Sequence, residues 1–117
     1  PEETGKAQIT HAYNLPSKYV LHTVGPIIYG QLTVHDCELL SSCYRSCLEL
    51  AENNGIKAIA FCCISTGEFH FPNERAAEIA IQTVKQYFDK TGSHINVLFN
   101  VFKEKDYDIY KKLLNGN

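Results

Sequence analysis

Two runs of residues limit the possible folds more than anything else in this chain. Residues 56–63, IKAIAFCC, and residues 95–102, INVLFNVF, are apolar at almost every position. A strand with one wet face alternates, whereas a strand buried on both faces reads as a continuous apolar run, as in a parallel sheet. Parallel neighbours need long crossovers, and the sequence between and around these runs has helical periodicity. Residues 34–53 carry Leu39, Cys43, Cys47 and Ala51, with Leu40, Tyr44 and Leu48 beside them, as one apolar stripe. Thr33 or Asp36 can cap its start, and Asn53-Asn54-Gly55 supplies a left-handed stop. A second helix begins at Asn73 as its cap, buries Ala76, Ala77, Ala80, Ile81, Val84 and Phe88, and ends at Thr91-Gly92. Residues 104–114 form a terminal helix.

Upstream, residues 6–10 read as a short strand, followed by the turn Asn14-Leu15-Pro16. Residues 18–24, KYVLHTV, form another strand closed by Gly25-Pro26. The order is β, β, α, β, α, β, α, which predicts an α/β fold with right-handed crossovers and a largely parallel sheet covered on both faces. In such sheets ligands bind beyond the carboxyl ends of the strands.

At 117 residues the chain holds one small domain. Its 44% hydrophobic and 21% charged content separates it from disordered chains. The net charge of −2, with charges of both signs interspersed, removes the bulk attraction that drives nucleic-acid binding, so no nucleic-acid partner is expected. No apolar stretch is long enough to span a bilayer and the first residues are no signal peptide, so no membrane partner is expected either. Five cysteines are an odd set. Cys43, Cys47, Cys62 and Cys63 fall inside patterned helix and strand segments, where cysteine acts as a small hydrophobe. A reduced, cytoplasmic protein is the expectation.

The strand at 56–63 runs into FCCISTGEFHFP, residues 61–72. Ser65, Thr66 and Gly67 can turn several backbone N–H groups toward one point, a nest suited to a phosphate or diphosphate. Gly67 lets the main chain approach a ligand without a Cβ. The pattern alone also fits a plain turn. It is neither a Walker loop nor a cysteine phosphatase loop, since neither a Gly-Lys-Ser/Thr ending nor a closing arginine follows.

FCCISTGEFHFP, taken with HTVGP at 22–26, CYRSCLELA at 43–51 and FNVFKEKDYDIY at 99–110, resembles the macrodomain family. That family binds ADP-ribose, and its MacroD-type members cleave ADP-ribose from modified proteins or from O-acetyl-ADP-ribose. The doubled cysteine and HFPNE at 70–74 resemble most a bacterial branch of protein-ADP-ribose hydrolases that contain zinc. The likeness implies a three-layer α/β/α macrodomain-like fold. It implies ADP-ribose or an ADP-ribosylated protein as partner, with Ser65, Thr66, Gly67, Glu68 and Phe69 forming a phosphate-binding loop. Cys63 and Ile64 lead into that loop, and Phe69 lies against the distal ribose. Phe102 falls where the family places a ring against adenine, and Asn100 one alternation back lines the adenosine side. Glu68 stands where a small apolar residue is expected, which leaves the backbone cradle intact.

TGKAQIT at 4–10 matches the middle of the family's domain. The family's Asn-Ala-Ala-Asn motif, its glycine-rich or metal-bearing loop and the aspartate that reads adenine come earlier, and none occurs here. The resemblance therefore implies that residues 1–117 are the carboxyl-terminal two thirds of a single macrodomain, lacking the first strands. It places the catalytic residues, and the ligands of any zinc, upstream of this chain. These residues alone are then expected to show little or no hydrolase activity. A binding module without turnover and an inactive structural fragment stay open as alternatives. Among the histidines, His22 reads as a structural strand residue and His70 as a surface neighbour of the loop. His11, His35 and His94 read as loop or helix-start residues. Glu104 and Asp106 suit the start of a helix through its dipole.

Overall fold

The computed structural model describes residues 6–11, 20–22, 30–62 and 72–115, with the backbone alone at 20–22. The elements are β1 (Ala7–His11), β2 (Val20–His22), α1 (Val34–Asn53), β3 (Ala58–Phe61), α2 (Asn73–Thr91), β4 (Asn96–Val101) and α3 (Glu104–Leu114). The strands form one sheet in the order β1-β4-β3-β2, and every pairing is parallel. The α/β order expected from the sequence is therefore present.

Residues 59–61 and 97–101 are buried at every position, in keeping with their continuous apolar sequence. Alternation divides them between two faces. Ile59, Phe61, Val97, Phe99 and Val101 join the apolar core together with residues from all three helices. Phe61 packs edge-on to Tyr44 of α1 at 4.8 Å between ring centroids, and Phe99 lies 5.1 Å from Tyr110 of α3. The three helices thus share one face of the sheet. Ala60, Leu98 and Asn100 occupy the other face.

Helix α1 begins in a capping box: the Asp36 amide donates to Thr33 Oγ1 at 3.1 Å, and the Thr33 amide donates to Asp36 Oδ2 at 3.0 Å. Both residues proposed as caps act, one from each side. The helix stops at Gly55, whose φ of 71° is left-handed. The buried stripe is Leu40, Tyr44, Leu48 and Ala51. This corrects the expected centre of the stripe: Leu39 is 41% exposed, and Cys43 and Cys47 are half-buried at its border. The aromatic ring at Tyr44 reaches Phe61 and Phe99, and this contact turns α1 so that its 40-44-48 row faces the sheet.

Helix α2 buries all six residues predicted for its stripe and ends at Gly92, with φ 65°. Its start differs from expectation. Asn73 is already helical, Pro72 holds the cap position and no side chain caps the helix. The Asn73 amide nitrogen donates instead to the Asp106 carboxylate of α3. Two further bonds tie helices together: Ser41 Oγ to Thr83 Oγ1 at 2.8 Å, and the Tyr87 hydroxyl to the Glu52 carboxylate.

Candidate functional site at the carboxyl edge of the sheet

Parallel strands with helices on their crossovers leave their carboxyl ends together at one edge, beside the starts of the following helices. Here that edge carries His11 at the end of β1, Cys62 after β3, Val101-Phe102 at the end of β4, and the first turns of α2 and α3. The register places Thr10 of β1 opposite Asn100, and Phe61 opposite Phe99, so Cys62 follows in line with Asn100. Thr10, Asn100 and Cys62 therefore form a row of hydroxyl, amide and thiol across three adjacent strands.

Asn100 is the buried polar residue of β4, only 2% exposed, whereas Asn96 at the strand's start is exposed. Burial pushes the neighbouring Cys62 thiol up from its ordinary range, and the polar Asn100 side chain pulls it partly back. Its Oδ1 has no hydrogen-bond partner among the described residues. Phe102 lies two residues on, just past the strand end, and is 73% exposed. Near the end of β4 the chain thus carries an exposed ring and, two residues before it, a buried acceptor without a partner among the described residues.

Asn100 and Phe102 are brought to this edge as the sequence requires. Cys63, Ile64, Ser65, Thr66, Gly67, Glu68 and Phe69 lie outside the described residues, as do His70, the turn at Asn14-Leu15-Pro16 and Gly25-Pro26. The described chain fixes both ends of that loop, at Cys62 and at Pro72.

The sequence reading missed two features. His11 is not a loop residue: it closes β1, stacks on Tyr107 at 4.1 Å with the rings 4° from parallel, and sits 4.0 Å from Glu104 Oε2. Asp106 does more than complement the helix dipole, since it is buried and receives the Asn73 bond. Neither could be found from periodicity, because each partner comes from a distant element. The cysteine reading is adjusted too. Cys47 packs against the core, whereas Cys43 is half-buried at the stripe's border, and burial raises both thiols. Cys37, Cys43, Cys47 and Cys62 are free. Among the described residues no group of three or more His, Cys, Asp or Glu could hold a metal ion. The described residues do not fit a zinc centre. No helix among the described residues is long and apolar enough to cross a membrane.

The Macro domain family model matches residues 1–80. The chain belongs to the macrodomain family. It is 60% identical over 114 residues to a protein-ADP-ribose hydrolase of Treponema medium, covering 97% of this chain and 44% of that protein. Among solved structures it is similar to the Oceanobacillus iheyensis macrodomain with ADP, at TM-score 0.72 and 40% identity, covering 80% of this chain and 48% of the other. The Trypanosoma brucei macrodomain in complex with ADP-ribose matches at TM-score 0.64 and 35% identity, covering 67% and 34%. The chain spans less than half the length of the curated relatives it matches.

Proposed function

We propose that this macrodomain binds ADP-ribose along the carboxyl edge of its sheet and, within an intact domain, serves hydrolysis of ADP-ribose from mono-ADP-ribosylated protein. The observation that carries the reading is the relative named a protein-ADP-ribose hydrolase, matched along nearly the whole of this chain. The geometry supports it, because the exposed Phe102 ring offers a face to adenine, and stacking suits any base. The first turn of α2, which no side chain caps, lies beside the end of the loop and favours a nearby negative charge. In this reading the backbone amides of Ser65, Thr66 and Gly67 hold the diphosphate, Cys63, Ile64, Glu68 and Phe69 complete the loop, and Asn100 lines the adenosine side. The attacking water and the groups that position it belong to residues upstream. Zinc enters only with ligands from outside this sequence. Four free thiols suit a reducing compartment, and we place the protein in the cytoplasm.

Calorimetry with ADP-ribose tests the binding step, and no heat from a demonstrably folded chain refutes it. Release of ADP-ribose from a modified protein is then compared between these 117 residues and an upstream-extended form. Turnover is expected only in the extended form, and turnover by the shorter chain refutes the placement of the chemistry. Binding by both forms with turnover by neither points to a non-catalytic module.

A further inference from the structure

Cys43 and Cys47 lie four residues apart on α1, and so on one side of the helix. Both are half-buried and both are free thiols. From Leu39 to Leu50 this side of the helix carries no charge. Leu39 and Leu50 flank the pair along the axis, 41% and 58% exposed, and the exposed Ser42 and Ser46 lie beside it. Burial raises both thiols, and Cys43 raises Cys47 further, so the two sulfurs feel one another. Helix neighbours at this spacing hold their Cβ atoms about 5–6 Å apart on Cα–Cβ bonds that point the same way. A disulfide needs roughly 3.5–4.5 Å between those atoms. The gap is too wide for the sulfurs to bond each other without unwinding the turn, and it has room for one bridging atom. Zinc would need four ligands, and no third donor joins the pair among the described residues. Soft monovalent cations differ, since they select thiolates and are satisfied by two of them in a line.

We infer that Cys43 and Cys47 form a site for one soft, two-coordinate cation of the copper(I) class, held between their sulfurs on the surface of α1. Each thiol gives one proton to solvent as its sulfur binds, and no oxidation state changes, so the step needs no oxidant. The cation replaces those protons and removes the repulsion between the two sulfurs. Cys37 cannot join them. It stands six residues before Cys43, a spacing that turns it to a different side of the helix, and it packs against the core there. The bridge closes one turn in the middle of α1, whose Leu40-Tyr44-Leu48 row is buried and carries the ring contact to Phe61. Only the folded helix presents the two sulfurs at this spacing, so the bound ion stabilises the folded chain by mass action. The site sits in the middle of α1 and is independent of the ADP-ribose reading.

In the experiment, copper(I) is kept reduced with ascorbate, without oxygen, and titrated into the full chain against a chromogenic copper(I) chelator. The wild-type chain should hold one ion that Cys43→Ser and Cys47→Ser each bind about 10²- to 10⁴-fold more weakly, because the second thiol acts at high effective concentration. Cys37→Ser should bind as the wild type does. Equal affinity in the wild type and in the Cys43→Ser/Cys47→Ser double variant overturns the inference. So does an ion shared between two chains, read as a dimer by sedimentation. A second measurement uses the wild type alone: cysteines are alkylated with iodoacetamide and mapped by mass spectrometry, with and without one equivalent of copper(I). The ion should protect Cys43 and Cys47 together and raise the melting temperature. Unchanged labelling of the pair overturns the inference. Because this second result is read in the wild-type chain, misfolding of a variant does not blunt the test.

Discussion

Replacing Asn73 with alanine should destabilise the protein by about 2 kcal/mol, although the residue is polar and sits at the start of a helix. Its amide donates to Asp106, which is 6% exposed in the first turn of α3. A hydrogen bond to a charged partner contributes roughly 1.5–3 kcal/mol, and the variant leaves that carboxylate buried without it. The helix dipole of α3 acts on Asp106 in both proteins, at about 0.3–1 kcal/mol, and so cancels from the difference. Asp106→Ala should lose less, about 1 kcal/mol, because it removes the buried carboxylate with the bond and the freed Asn73, only half-buried, can be hydrated. The double variant should resemble Asp106→Ala, giving a coupling of about 2 kcal/mol between two residues 33 positions apart. Urea denaturation followed by circular dichroism measures all three, and Asn73→Ala should lower the melting temperature by about 8 °C. Additive single effects, or a loss below about 0.5 kcal/mol in Asn73→Ala, would refute the claim that this bond is shielded from water. The bond matters to the site because it joins the first turns of α2 and α3 along the edge where Phe102 is exposed.

Four further outcomes follow from burial, exposure and titration. Phe61→Ala should cost about 3–5 kcal/mol, as a fully buried ring between Tyr44 and Phe99. Leu39→Ala should stay within about 0.5 kcal/mol, and a large loss there would restore the stripe centred on Leu39. Phe102→Ala should leave the melting temperature unchanged and weaken ADP-ribose binding about 5- to 100-fold, since stacking on a base contributes roughly 1–3 kcal/mol. Unchanged affinity would remove Phe102 from the site. Stability should also fall in alkali. Burial raises Cys43, Cys47, Cys62 and Tyr87 above their ordinary values of 9.0 for the thiols and 10.0 for the phenol, with the Glu52 bond raising Tyr87 further. Groups that hold their protons more tightly when folded contribute stability below the unfolded values, and that contribution is lost as pH rises past them. Melting temperature should be level from pH 7 to about 8.5 and decline from about pH 9 upward, and Tyr87→Phe should remove the part of the decline above pH 10. A Tyr87→Phe profile identical to the wild type would show that the buried phenol does not hold its proton.

The sequence by itself determined the elements and their order. Continuous apolar runs specify strands covered on both faces, and those at 56–63 and 95–102 became β3 and β4. The 3.6-residue repeat and the glycines after it specify α1, α2 and α3, whose bounds are local properties of the chain. It also placed Asn100 as the one polar side chain in the middle of β4, and Phe102 just beyond the strand's end. Periodicity fixes a helix face only to within about one residue, however, so it could not choose between the rows through Leu39 and Leu40. The fit of Tyr44 against Phe61 and Phe99 made that choice. Asn73 has the chemistry of a cap, and only the arrival of α3 turned its amide to Asp106 instead. His11 has the composition of a loop residue until β1 and α3 bring it onto Tyr107. Tertiary structure likewise decided that Asn100 is buried and in line with Cys62 of the neighbouring strand. Hydrogen bonds and ring contacts between distant elements depend on where the whole backbone puts them, and no local pattern in the sequence carries that information.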